Sequence, residues 1–289
     1  MEFLAPRTWA DALAAKAEHP EAVAIAGGTD VMVELNFDRS RPRALLDLAR
    51  VAELREWGSD GAGLLRVGAG VSYTRVIDEL GQQLPGLAMA SRTVGSPQIR
   101  NRGTVGGNLG SASPAGDAHP PLLATGALVE LESVRGRRRV AAAEFFVGPK
   151  RHVLAPDELI AAFLVRPAPG PQQFSKVGTR NAMVIAVASF AIALDRERQR
   201  VGTGIGSAAP TPVRATEAEA FLEGELAAGG LWEAPRPLDP RLVTHFSKLA
   251  ASAASPIDDV RGTAAYREHA LAVMARRALS WAWSDYQRS

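Results

Sequence analysis

The chain has 289 residues, 46% of them apolar and 22% charged, with 33 basic and 31 acidic side chains and a formal net charge of +2. This is globular composition with room for about two domains, and so even a charge balance gives no broad nucleic-acid footprint. There is no cysteine, which excludes disulfides and any iron–sulfur cluster held by the chain's own thiolates.

The N-terminal stretch lacks a basic segment followed by an apolar run, so no secretory signal is expected. Next, Thr8 followed by Asp11 marks a helix N-cap, and the Ala-rich segment after it predicts a helix over 9–19 that Pro20 stops. The apolar run 22–26, closed by Gly27-Gly28, predicts a buried strand entering a tight turn. Strands are expected over 44–48 and 64–70, and a helix over 74–80 capped by Ser72.

Residues 95–116 change character, with six glycines, two prolines and several Ser, Thr and Asn. They read as a long, ordered, functional loop. A helix over 118–125 is expected next, with Asp117 as its N-cap, then a strand over 128–131. The basic run Arg135-Gly-Arg-Arg-Arg139 reads as a solvated turn. A strand over 158–165 leads into Pro167-Ala-Pro-Gly-Pro171, the best domain boundary in the chain.

Beyond it, strands are expected over 184–194 and 201–207, joined by the charged turn 195–198, and a helix from about 216. A Gly/Pro linker over 229–240 precedes two helical stretches, 240–253 and 264–282. The longest uncharged apolar stretch, 181–194, is 14 residues, short of the roughly 20 that span a membrane. A cytoplasmic protein is therefore expected. The histidines show no metal-ligand spacing.

Two glycine loops carry the chemistry. In Ala26-Gly-Gly-Thr-Asp-Val31 the paired glycines follow a strand, where successive amides can form a concave anion site. The second loop is Gly103-Thr-Val-Gly-Gly-Asn-Leu109, continuing through Ser111 to Asp117. Thr104 and Asn108 can hydrogen-bond phosphate or sugar oxygens, and the Asp117 carboxylate suits ligand hydroxyls. Neither loop has the spacing of a P-loop or a Rossmann turn. Two separate cradles instead suggest one diphosphate held from two sides. Four amides at about 1.5–3 kcal/mol each give on the order of 10 kcal/mol, against association costs of roughly 4–15 kcal/mol. Apolar burial of the ligand's rings must therefore contribute, with Ala24, Ile25, Val31, Leu109 and Ile160 as candidate walls.

These residues, with Val94-Gly-Ser-Pro-Gln-Ile-Arg-Asn101, Ala112-Ser-Pro-Ala-Gly-Asp117 and Phe174-Ser-Lys-Val-Gly-Thr-Arg180, resemble the medium, flavin-carrying subunits of xanthine and carbon monoxide dehydrogenases. The resemblance covers essentially the whole chain. It implies an α+β fold: a vanillyl-alcohol-oxidase (PCMH)-type FAD-binding domain of two subdomains over 1–170, and a C-terminal domain with a small antiparallel sheet and helices over 171–289. By the same resemblance the cofactor is FAD in an extended pose. Ala26, Gly27, Gly28, Thr29, Asp30 and Val31, with Thr104, Gly106, Gly107 and Asn108, would hold its pyrophosphate. Ser111 and Asp117 would meet the ribityl or phosphate region, Ile160 the adenine end and Lys176 the flavin side.

The resemblance further implies two partners, a large subunit with the molybdenum cofactor and a small one with two 2Fe–2S clusters, assembled as a dimer of heterotrimers. Electrons would pass from the clusters through FAD to NAD or another acceptor, and no side chain here need act as acid or base. Many relatives carry an acidic residue where this chain has Val184, which bears on polar contacts at the flavin edge. The alternatives are a stand-alone FAD oxidase of the same fold and a flavin-free assembly module.

Overall fold

The computed structural model describes residues 1–288. Its N-terminal part opens with β1 (Glu2–Leu4), α1 (Trp9–Glu18), β2 (Val23–Ile25), α2 (Val31–Asn36) and β3 (Ala44–Asp47). The three strands form a parallel sheet in the order β1-β3-β2. Thr8 caps α1 as its side chain accepts from the Asp11 amide, and the helix sinks Ala12 and Leu13 into the core.

A second layer follows: β4 (Trp57–Ser59), β5 (Leu65–Gly68), then helices α3 (Tyr73–Glu79), α4 (Pro85–Arg92), α5 (Pro97–Arg102), α6 (Val105–Ser111) and α7 (His119–Ala124). Next come β6 (Leu128–Ser133), β7 (Gly136–Ala141), α8 (Ala142–Phe145), β8 (Phe146–Gly148), β9 (Arg151–His152) and β10 (Leu159–Val165). The sheet order is β4-β5-β10-β6-β7, antiparallel throughout. Central β10 is buried at every residue, which is why its sequence is an unbroken apolar run.

The C-terminal part has β11 (Gln172–Val177), β12 (Ala188–Asp195) and β13 (Arg200–Gly206) as an antiparallel sheet in that order, covered by α9 (Thr216–Ala228), α10 (Pro240–Ser252) and α11 (Ala264–Tyr286). It has its own apolar core around Phe190, Phe246, Leu271 and Tyr286. A smaller cluster of Ala90, Ala124, Phe174 and Ala191 seals the seam with the N-terminal part. The mixed architecture is the expected α+β one.

Four expectations need correction. Residues 95–116 are largely helical: Ser96 caps α5 by accepting from Ile99 N, and Thr104 caps α6 by accepting from Gly107 N. Side-chain caps and tertiary packing here outweigh the low helix propensity of glycine, which costs about 1 kcal/mol per residue. The basic run is only in part a turn: Arg135 lies in the turn, while Arg137, Arg138 and Arg139 belong to the strand β7 and are exposed as expected. In β7 Arg139 pairs with Glu130 and Arg137 with Glu132 across the ladder, and these arginines form ion pairs with the fully buried Glu130 and with Glu132. Cross-strand charge complementarity makes a strand of a run whose side chains stay exposed to solvent. The strand expected over 184–194 begins only at Ala188. Finally, Asp117 does not cap α7, whose N-cap is Ala118 with no side-chain bond. The Asp117 carboxylate is engaged elsewhere.

Candidate functional site

The two glycine loops meet. A Cβ placed on Gly27 would lie 1.9 Å from the Arg102 carbonyl oxygen and 3.0 Å from Gly103 N, and one on Gly103 would lie 3.5 Å from Thr29 Oγ1. Only glycine at position 27 permits this approach. Gly28 turns the chain with φ +76°, a left-handed conformation natural to glycine. Its carbonyl and that of Asp30 accept from Met32 N and Glu34 N. Among the described residues the amides of Gly28, Thr29 and Asp30 donate to no backbone carbonyl.

The second loop is anchored on α3. Tyr73 N donates to Gly103 O at 3.0 Å, and Ser72 and Thr104 form an isolated bridge. Gly106 presses on the end of β5, where an added Cβ would lie 2.4 Å from Ala69 Cβ. Gly107 is exposed on the opposite side. Gly110 is also exposed, and a Cβ there would meet only Ile160 Cδ1, at 3.7 Å. Thus the tip of Ile160, otherwise buried in β10, reaches the open side of α6. The other expected wall residues divide: Leu109 is plain core, Ile25 and Val31 are half-buried, and Ala24 is exposed.

Several expected ligand groups are busy holding the loop. Thr104 Oγ1 accepts from Gly107 N at 2.9 Å, Asn108 Oδ1 accepts from Ala118 N at 3.3 Å, and Ser111 Oγ donates to Asn108 O at 3.0 Å. The Asn108 amide nitrogen and the Thr104 hydroxyl proton are not used in these bonds, since each group has both donor and acceptor capacity.

Asp117 and Lys176 are 59 residues apart yet form a buried ion pair, Lys176 Nζ donating to Asp117 Oδ2 at 2.6 Å with side chains only 7% and 9% exposed. Lys176 is therefore no solvated surface residue. It also donates to Thr93 O at 3.3 Å. Burial pushes the Asp117 carboxyl up to about 6, although Lys176 and then the Thr93 side chain beside it pull the other way; the Thr93 hydroxyl itself donates to Ala90 O at 2.8 Å rather than to the carboxylate. The second oxygen, Asp117 Oδ1, is buried without a hydrogen-bond partner, as is the hydroxyl of Tyr73. Buried polar atoms seldom stay unpaired, so two such atoms beside converging loops point to a ligand. Sequence reasoning singled out neither Tyr73 nor the Thr93 carbonyl. A polar-tipped aromatic one residue after a helix cap was the available signal for Tyr73.

A polar chain with hydroxyls and a diphosphate fits this junction: free amides on one loop, glycines that let backbone close in, and a buried acceptor at Asp117. Comparison with known proteins gives the class. The family model described as the FAD binding domain in molybdopterin dehydrogenase matches residues 1–167, and that of the CO dehydrogenase flavoprotein C-terminal domain matches residues 173–282. The chain therefore belongs to the family of FAD-binding subunits of the molybdenum hydroxylases, which are oxidoreductases.

Among its relatives, the xanthine dehydrogenase FAD-binding subunit of Escherichia coli O157:H7 is 32% identical over 282 residues, covering 94% of this chain and 92% of that one. The nicotine 6-hydroxylase medium subunit of Paenarthrobacter nicotinovorans is 28% identical over 96% of both. A chain of the carbon monoxide dehydrogenase of Hydrogenophaga pseudoflava superposes with a TM-score of 0.87 at 27% identity, covering 99% of this chain and 98% of that one. No helix among the described residues is long and apolar enough to cross a membrane.

Proposed function

We propose that this chain holds FAD with its diphosphate between residues 26–31 and 103–108, and that it relays electrons from a partner's iron–sulfur clusters to NAD or another acceptor. The observation that carries the reading is the approach of Gly27 to the Arg102 carbonyl and Gly103, which brings two anion cradles to one place. Bound flavin would supply the redox chemistry, accepting and donating electrons. This chain's residues bind and orient it: the loop amides take the phosphate oxygens, Asp117 takes a hydroxyl of the ribityl region, and Lys176 holds Asp117 in place from the flavin side. Ile160 would border the adenine end.

The same reading divides the chain into a cofactor domain over 1–170 and a closing domain over 171–289, in keeping with two separate apolar cores. The partners would be a molybdenum-cofactor large subunit and an iron–sulfur small subunit in a dimer of heterotrimers. A relative named for xanthine is 32% identical over 94% of this chain, against 28% over 98% for the carbon monoxide dehydrogenase medium chain of Hydrogenophaga pseudoflava, which favours an N-heterocycle as the substrate of the complex, chosen by the large subunit. The test is titration of the flavin-stripped full chain with FAD and with riboflavin, which lacks both phosphates. Binding of FAD at least a hundredfold tighter is expected; equal affinities would overturn the two-loop grip.

A further inference from the structure

Tyr73 is the first residue of α3 and lies at the meeting point of the two glycine loops. Its amide donates to Gly103 O at 3.0 Å, and its ring carbon Cδ2 would be 3.3 Å from a Cβ on Gly103, the same position that faces Thr29 Oγ1. The residue is only 3% exposed and its hydroxyl makes no hydrogen bond. Burial first, then the nearby carboxylates of Asp117 and Asp30, raise its ionisation well above the ordinary tyrosine range. It is thus a fixed donor that sits among the loop carboxylates. A native fold does not discard a phenolic hydrogen bond without cost, since a buried unpaired hydroxyl loses its hydration for nothing.

A second unpaired buried atom is an acceptor, Oδ1 of the same Asp117 whose charge acts on Tyr73. A phosphate would satisfy Tyr73 but be repelled by an ionised Asp117. An alcohol both donates and accepts, so it satisfies both. We propose that the Tyr73 hydroxyl is a cofactor-binding group that donates to a ribityl hydroxyl of the flavin, which in turn donates to Asp117 Oδ1. This rests on the FAD reading above and adds to it a residue outside both glycine loops.

The experiment compares the full chain with Tyr73→Phe, which keeps the ring and removes the donor. Flavin-stripped protein is titrated with FAD and with riboflavin, followed by flavin fluorescence, and its own melting temperature is recorded. Affinity is expected to fall roughly three- to tenfold for both ligands, because both carry the ribityl chain. The flavin-stripped variant is expected to melt at the same temperature or higher, since it no longer buries an unpaired hydroxyl. Unchanged affinity, or a loss confined to FAD, overturns the assignment. A flavin-stripped Tyr73→Phe that melts lower also overturns it, because the hydroxyl would then have a protein partner. If the unsubstituted chain binds no FAD, the underlying reading fails as well, and that outcome is distinct from the others.

Discussion

Replacing Lys176 by Met tests the buried pair at the seam directly. Lys176 is the cation in contact with Asp117, and the pair is more than nine-tenths buried. Removing one member of a buried pair typically costs about 3–5 kcal/mol, because the other charge is left in a medium that cannot solvate it. For a chain of this size that corresponds to a fall in melting temperature of roughly 5–15 °C.

The cost depends on pH in a defined direction. The folded Asp117 carboxyl titrates near 6, raised from 3.8. The folded state therefore holds a proton between these values that the unfolded state has released. The stability this group contributes is full below 3.8 and is lost as pH rises through 6, by about 3 kcal/mol in all. At pH 5 the carboxyl is mostly neutral, Lys176 has less to compensate, and its removal should cost below about 1.5 kcal/mol, the value of an ordinary hydrogen bond. Urea unfolding of the flavin-stripped chain at pH 7.5 and pH 5 measures both. Lys176→Met combined with Asp117→Asn should recover much of the loss at pH 7.5. A cost that is the same at both pH values, or a double variant as unstable as the sum of the singles, would refute the electrostatic account.

Gly27→Ala would drive a methyl into the Arg102 carbonyl 1.9 Å away, so the loops must separate; FAD affinity should fall at least tenfold by fluorescence titration. Gly224 lies in α9 with nothing within 4 Å of an added Cβ, so Gly224→Ala should raise stability by about 0.5–1 kcal/mol in urea unfolding and leave flavin binding alone. Burial pushes the His119 imidazole down to about 4 from 6.5, so its contribution is full above 6.5 and is lost as pH falls through 4. His119→Gln removes this acid-labile group, so the stability of the variant relative to the unsubstituted chain should rise between pH 7 and pH 4 in urea unfolding; a constant difference would refute it.

The parts of the fold legible in the sequence are those whose order is local. Thr8 caps α1 as its spacing predicts, and the apolar run of β10 announces a fully covered strand. Both long C-terminal helices lie where helical stretches are expected, over 240–253 and 264–282. What escaped depends on distant partners. β1 and β4 are three residues each, too short for a periodic signal, and exist because β3 and β5 pair with them. α2 exposes Met32 and Val33, so its apolar residues do not mark a buried face. β7 is a run of arginines made a strand by Glu130 and Glu132 opposite. For the site, both glycine pairs were visible as potential cradles. Two cradles with neither P-loop nor Rossmann spacing also suggest that they converge, and the approach of Gly27 to Arg102 and Gly103 agrees; the pairing of Asp117 with Lys176, a contact across 59 residues, left no local signal.

That pairing also ties the two parts of the chain together at the proposed cofactor site. All six residues of α7 are buried, which a short helix achieves only when covered on opposite sides. One side is the N-terminal core. The other is β13, whose glycines let the sheet come close: Cβ atoms on Gly202 and Gly204 would lie 1.9 and 2.0 Å from the carbonyls of Ala124 and Pro120. β11, in the same sheet, carries Phe174 into the seam and Lys176 to Asp117. A fragment ending at residue 170 would therefore expose α7 and strand the Asp117 carboxylate without its cation, at the place proposed for the ribityl chain. Such a fragment should be recovered insoluble or colourless, whereas the full chain should carry flavin absorbance. A soluble fragment that bound FAD as tightly as the full chain would show that the closing sheet contributes nothing to the cofactor site.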